Sequence, residues 1–366
     1  MINLKLKSVD VCKFDLISLG EVMLRLDPGE GRIKTARSFN VWEGGGEYNV
    51  ARGLRSCFRK KTSILTALTK NQVGFLIEDL ILQGGVDTSL IFWSNFDGIG
   101  KASRNGLNFT ERGFGIRGAV GCSDRGHTAI SQIKPGQIDW EHIFGKLGVR
   151  WFHTGGVFAG LSETSSKVII EAMEVAKLHG TIISYDLNYR PSLWRDFGGV
   201  YKCQEINKEI APYVDIMLGN ISDFATFFGF ERGNTIKTFD NANIDVFKKI
   251  IETATAKFPN LLIAAATIRK IKSASINDWS AICWNNGDFF SAPERINLEI
   301  LDRVGGGDGF AAGLIYGLME FSDPQKAVEY GAAHGALTMT TPGDNSMVSL
   351  SEIENLINGD SSRIER

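Results

Sequence analysis

The sequence predicts an α/β fold: one large domain with a mostly parallel central sheet covered by helices on both faces, carrying a small antiparallel β lid. Three observations predict it. Short apolar runs alternate with segments of helical spacing over most of the chain, and short links between such units imply a parallel sheet covered on both faces. Two stretches, 22–46 and 92–126, break that rhythm with residue-by-residue alternation and recurrent glycines, and they can pair as one small sheet. The composition, 43% apolar and 22% charged, is globular and excludes wholesale disorder.

In chain order, residues 1–13 read as an extension. Residues 14–19 (FDLISL), closed by Gly20, have the pattern of a buried strand. Residues 23–41 suggest two strands and a turn around Asp27, Pro28, Gly29 and Gly31. GGGEYNVARGL, 44–54, is a loop-to-helix junction, since Val50, Ala51 and Leu54 repeat at helical spacing. Residues 63–68 read as a strand and 74–83 as a helix stopped by Gly84, Gly85, Val86 and Asp87. From 91 to 126 glycines punctuate short alternating runs, which is antiparallel structure. Strand 151–157, helix 162–178, strand 181–186, helix 203–214, strand 215–219, helices 222–228 and 243–257 and strand 261–267 follow. A β-rich stretch at 279–301 and helices 308–320 and 324–340 complete the core. The core is then 14–21, 47–91 and 127–358, the lid 22–46 and 92–126, and 359–366 a second terminal extension.

Several function classes are disfavoured. With 40 basic and 42 acidic residues the net charge is −2, so no cationic surplus exists to bind a phosphate backbone, and nucleic acid is not expected as a partner. The longest strongly apolar run, 261–268, is far short of the ~20 residues of a membrane helix. The first residues, MINLKLKSVDVCKFD, have no apolar core of a secretory signal. The five cysteines are scattered, without a CxxC, which argues against a disulfide framework or zinc site and for free thiols in a reducing cytosol. A cytoplasmic protein is expected.

The strongest chemical signal is LDRVGGGDGFAAGLIYGLME, 301–320. Three glycines precede Asp308, and Phe310, Leu314 and Leu318 then mark a helix. Free backbone amides at a helix N-terminus bind anions. An aspartate in that turn repels a phosphate, but it fits a second substrate whose proton it takes. The plainer alternative is a tight turn with Asp308 as an ordinary helix-start residue. GxxxxGK[ST] is absent, which excludes a P-loop. Gly307, Gly309 and Ala312 match the dinucleotide fingerprint, but the chain continues into a second helix rather than a βαβ unit, so the match is accidental.

DRVGGGDGFAAG resembles the C-terminal signature of ribokinase-like (PfkB) sugar kinases. GEVMLRL at 20–26 and the GGGEYNVARGL segment resemble the family near its start. DLNYRPSLW at 186–194 is similar to its 2-keto-3-deoxygluconate kinase branch, and the likeness runs in order from about residue 14 to 354. The resemblance implies a three-layer αβα ribokinase-like domain, ATP and Mg²⁺ as cofactors, and a sugar acid as acceptor. It implies Asp308 as catalytic base and Gly305, Gly306 and Gly307 as the anion-hole turn, with Gly306 in place of the usual Ala. Gly45, Gly46 and Asn49 match the acceptor-binding segment. Arg190 and Arg125 match arginines that hold the carboxylate end of a keto acid, to which a planar guanidinium is suited. Asn220 and Asp223 match the N-x-x-E segment near Mg-ATP, with Asp for Glu; a strand-end Asn capping the next helix is the other reading. Thr267 and Arg269 fall on the nucleotide side. Asp302 matches an aspartate near a monovalent-cation site, although Arg303 replaces the usual Thr.

Cys122-Ser123-Asp124 and Leu107-Asn108-Phe109 stand where the gluconate branch commonly has lid tyrosines, and Pro191 is shared with the 5-dehydro-2-deoxygluconate kinases. The expected function is phosphorylation of 2-keto-3-deoxygluconate to its 6-phosphate. The alternatives are a related kinase acting on 5-dehydro-2-deoxygluconate or a ketohexose, and a catalytically silent kinase-fold partner protein. Trp42 reads as a lid hydrophobe and His127 as structural. Relatives often pair through the lid, which implies a homo-oligomer.

Overall fold

Phe14–Leu19, the first apolar run, forms β1, an interior strand of the large sheet. The structure, a computed structural model, describes residues 4–229 and 241–359. After β1 the chain makes β2 (Met23–Asp27) and β3 (Asn40–Gly44), then α1 (Gly46–Ser56), β4 (Thr62–Thr69), α2 (Gln72–Gln83) and β5 (Ile91–Ser94). Strands β6 (Leu107–Glu111) and β7 (Val120–Asp124) follow. A π-helical segment, Glu141–Gly148, leads into β8 (Val149–Gly155). Next come α3 (Gly156–Ala159), α4 (Ser165–Leu178), β9 (Ile182–Asp186), α5 (Pro191–Trp194), α6 (Gly199–Ile210), β10 (Ile216–Asn220), α7 (Ile221–Phe228) and α8 (Asn241–Lys257). The chain closes with β11 (Ile263–Ile271), β12 (Ile276–Asn285), β13 (Asp288–Ser291), β14 (Arg295–Glu299), α9 (Gly306–Phe321), α10 (Pro324–Thr338) and α11 (Leu350–Asn358).

The ten-stranded sheet runs β13-β12-β11-β10-β9-β8-β1-β4-β5, with β14 beside β12. Every pair from β5 across to β11 is parallel, and β12, β13 and β14 add an antiparallel edge. Alternate residues of each strand enter different cores. Ile17, Phe152, Ile183, Met217 and Ala264 pack with α4, α6 and α7. Their neighbours Leu16, Trp151, Ile182, Ile216 and Ile263 pack with α1, α9 and α10. Burial on both faces makes these strands read as continuous apolar runs. Helices α9 and α10 approach closely because a Cβ at Gly313 would come 2.5 Å from the Tyr330 carbonyl oxygen, and one at Gly331 2.9 Å from Phe310.

A second sheet, β3-β2-β6-β7, is the lid. It joins two antiparallel hairpins through a parallel β2–β6 seam, Leu24 opposite Leu107 and Leu26 opposite Phe109. The sequence placed 92–126 wholly in the lid, but Ile91–Ser94 pairs with β4 as the parallel edge of the large sheet. An edge strand half-covered by the core, with Ile91 and Trp93 turned inward, shows the same alternation as a lid strand, so periodicity does not separate them. The helix expected at 203–214 lies at Gly199–Ile210 and ends in a 3₁₀ turn. Within the N-terminal extension the Lys7 carbonyl accepts from Arg150 Nε at 2.8 Å, fastening it beneath β8. Of 359–366 only Gly359 lies within the described residues. No helix among the described residues is long and apolar enough to cross a membrane.

Candidate active site

Strand order reverses at β1, which lies between β8 and β4, and ligands of open α/β sheets bind beyond the carboxyl ends of the strands at such a point. Here the ends of β9 and β10, the N-termini of α1 and α9, and the lid enclose a cavity of about 790 Å³.

The floor is the glycine turn. Gly305 has φ +82° and sits so close to Asp344 that a Cβ would lie 2.1 Å from its carbonyl oxygen. Helix α9 starts at Gly306, so the amides of 306–308 have no carbonyl partner within the helix. Gly307 faces open space and lines the cavity with Gly305. Gly306 does not line it; a Cβ there would lie 2.8 Å from Met339 Cγ.

Asp308 borders the cavity and accepts a hydrogen bond from Asn49 Nδ2 at 2.7 Å. Asn49 Oδ1 in turn accepts from the Gly45 amide at 3.2 Å, which fixes the side chain across the turn before α1. Burial pushes the Asp308 carboxyl up to about 6; Asn49 opposes this, Asp344 adds to it and Arg190 opposes it. Gly46 lies against the same carboxylate, its virtual Cβ 3.6 Å from Asp308 Oδ1.

Both expected carboxylate-binding arginines line the cavity. Arg125, from the end of β7, pairs with the buried Glu21 at 2.5 Å, and its Nε has no hydrogen-bond partner. Arg190 opens α5 beside Asp186 and Asp308. On the other side of the turn, Asn220, Asp223, Thr267 and Arg269 line the same space. Asn220 and Asp223 form a reciprocal capping box at the start of α7: Asn220 Oδ1 accepts from the Asp223 amide at 2.9 Å, and Asp223 Oδ2 from the Asn220 amide at 3.2 Å. Arg269 and Arg303 border the cavity without an ion pair among the described residues. Burial, then the charges of Arg303 and Arg190, lower Arg269 to about 10.

Asp302 stands apart. Its Oδ2 is gripped by the buried Arg25, and its Oδ1 accepts from the Val304 amide at 3.1 Å. A guanidinium thus meets the carboxylate that the resemblance set beside a monovalent cation, and the residues present do not fit such an ion. Mg²⁺ suits the donors better: the carboxyl oxygens of Asp186 and Asp223 border the cavity that also holds Arg269 and Arg303, and hard oxygens are what this ion takes alongside phosphates.

A profile of the pfkB family carbohydrate kinases matches residues 149–350, over half of the chain. The chain belongs to the pfkB family of carbohydrate kinases. It is 25% identical over 353 residues to a 2-dehydro-3-deoxygalactonokinase of Haloferax volcanii, covering 96% of this chain and 99% of that one. It is 26% identical over 356 residues to a 5-dehydro-2-deoxygluconokinase of Geobacillus kaustophilus, covering 94% and 93%. Among solved structures, a 2-dehydro-3-deoxygluconokinase of Thermotoga maritima superposes with a TM-score of 0.84 at 34% identity, covering 94% of this chain and 99% of that one. This pfkB kinase therefore has the ribokinase-like fold.

Sequence reasoning missed four acidic groups around the site. Asp186 ends β9 and is pushed up to about 8 by burial, then by Asp308 and Asp223. Glu47 is buried in the first turn of α1 and pushed up to about 7 by burial. Glu21 and Asp344 complete the set. Asp186 had a signal, a lone carboxylate at the end of a parallel strand; Asp344, in an irregular loop, had none. Trp42 packs against Gly343 below the lid, and His127 is exposed.

Proposed function

We propose that this pfkB kinase transfers the γ-phosphoryl group of ATP to a hydroxyl of a keto-deoxy sugar acid, 2-keto-3-deoxygluconate to its 6-phosphate being the best-supported reaction. One observation carries the reading: Asp308, the open Gly307 and the cationic side chains of Arg190, Arg269 and Arg303 share a single cavity. The acceptor lies between the lid and the carboxyl ends of the strands, its carboxylate toward Arg125 and Arg190 and its hydroxyl on Asp308. With the Asp308 carboxyl at about 6, roughly nine-tenths is ionised at pH 7 and ready to take the proton. The amides of 306–308 receive charge developing on the transferred group, and positioning plus charge stabilisation supply most of the catalysis. Arg269 and Arg303 face the nucleotide's phosphates. Asp186 and Asp223 would hold Mg²⁺ together with the nucleotide, and the ion would supply screening of the phosphate charge. The lid keeps water, a competing acceptor, from the reacting centre.

The Geobacillus kaustophilus relative and the shared Pro191 support 5-dehydro-2-deoxygluconate as the second reading. Release of ADP measured over a panel of sugar acids and neutral ketoses separates the two. Asp308→Asn is expected to lower kcat by about 10²–10⁴-fold with the fold intact. A folded variant that loses less than about tenfold removes Asp308 from the role of base.

A further inference from the structure

Strand β2 lies inside the lid sheet, yet it carries an arginine that is 1% exposed. Alternation along β2 puts Leu24 and Leu26 on one side and Met23, Arg25 and Asp27 on the other, and Met23 lines the cavity. Arg25 Nη1 donates to Asp344 Oδ1, and Nη2 to Asp302 Oδ2 and, at 3.0 Å, to Asp27 Oδ2. Asp27 also faces Arg112, with Nε 3.4 Å away. Asp302 opens the glycine turn; the backbone of Asp344 packs on Gly305, where it leaves no room for a side chain. One guanidinium therefore spans the two segments that support the turn, and it reaches them from the lid. The loop holding Asp344 is fastened to the lid again next door, where Asn345 Nδ2 donates to the Glu43 carbonyl oxygen at 2.8 Å.

We propose that Arg25 is a positioning residue for phosphoryl transfer: it ties Asp302 and Asp344 together and so holds the amides of the glycine turn in register with the lid that covers the acceptor. This rests on the kinase reading above. Arg25 touches neither substrate in that arrangement and acts through the turn. A lysine at this position keeps the charge, but one ammonium does not reproduce the planar fork that grips both carboxylates.

The test is steady-state kinetics of the full chain with ATP and an acceptor that the unmodified enzyme turns over. Arg25→Lys is expected to lower kcat by about tenfold or more while KM for either substrate stays within about threefold, the signature of an interaction that acts in the transition state. Leu24→Ala, on the opposite face of β2, is the control for lid destabilisation alone, and its kcat is expected to stay within about twofold at a temperature where it is folded. If Arg25→Lys does not fold, Asp302→Asn takes its place: it keeps the acceptor for the Val304 amide, removes a charge that Arg25 holds, and is expected to show the same split. A folded Arg25→Lys or Asp302→Asn with kcat within about twofold of the unmodified enzyme, or a loss no larger than that of Leu24→Ala, overturns the proposal. Absence of turnover by the unmodified enzyme on every acceptor is seen before any variant is made; it defeats the kinase reading, and this role with it.

Discussion

Asn49 Nδ2 donates to Asp308 Oδ2 at 2.7 Å, joining the first helix after the lid hairpin to the helix that bears the proposed base across 259 positions of sequence. The bond favours the charged carboxylate, against burial and the Asp344 charge, which favour the proton.

That balance sets a pH dependence. Asp308, the proposed base, is raised to about 6 and is protonated as pH falls through that value, so kcat/KM is expected to drop about tenfold per unit below it. Asn49→Ala removes the donor to the charged form, and the acid limb should move upward. A limb that stays in place, or moves down, contradicts the assignment of the limb to Asp308.

Arg190 lines the cavity and is proposed to hold the acceptor's carboxylate. Arg190→Ala should raise KM for a sugar acid by about tenfold or more and leave KM for ATP within about twofold, since a lost charge-assisted bond to a carboxylate weakens only the ligand that carries it. Equal changes in both constants would take Arg190 out of the acceptor pocket.

Two neighbouring glycines should behave oppositely. Gly305→Ala forces a Cβ into a left-handed residue at φ +82° and onto the Asp344 carbonyl. It should cost about 1–2 kcal/mol from the backbone alone, read as a lower melting temperature. Gly307→Ala meets nothing within 4 Å, so its melting temperature should hold or rise. Its methyl enters the cavity, and kcat/KM for ATP should fall. A destabilised Gly307→Ala would show that the turn is tighter than its surroundings indicate.

Glu47 links the site to stability. Its folded value of about 7 lies above the unfolded ~4.3, so its favourable contribution is present below pH ~4.3 and is lost as pH rises toward 7. Glu47→Gln abolishes that loss. The variant should match the parent near pH 4 and exceed it at pH 8, by at most on the order of 3 kcal/mol in chemical denaturation. Asp186, raised by burial in the same direction, leaves a residual decline in both proteins. A parent as stable as the variant at pH 8 would show that Glu47 ionises without cost.

Much of this was legible in the residues. Buried parallel strands such as FDLISL announce themselves as unbroken apolar runs, and the glycine turn before Phe310 marks the helix start that carries Asp308. What stayed hidden depends on tertiary placement. Ile91–Ser94 alternates like a lid strand but pairs with β4. Asp302 matches a motif, but nothing near it in sequence reports that Arg25, 277 positions away, holds its carboxylate. The MLRLD strand did contain a clue, since Arg25 and Asp27 share a face at two-residue spacing. Their burial came only with the loop that brings in Asp344.

The parallel seam between Leu24 and Leu107 has an evolutionary corollary. The lid over the cavity is stitched from two hairpins that leave the core at separate places, so recombination that imports one without its mate leaves a mismatched joint. Acceptor preference in such a scaffold should drift by changes spread over both hairpins together, and chimaeras meant to exchange it must carry both inserts.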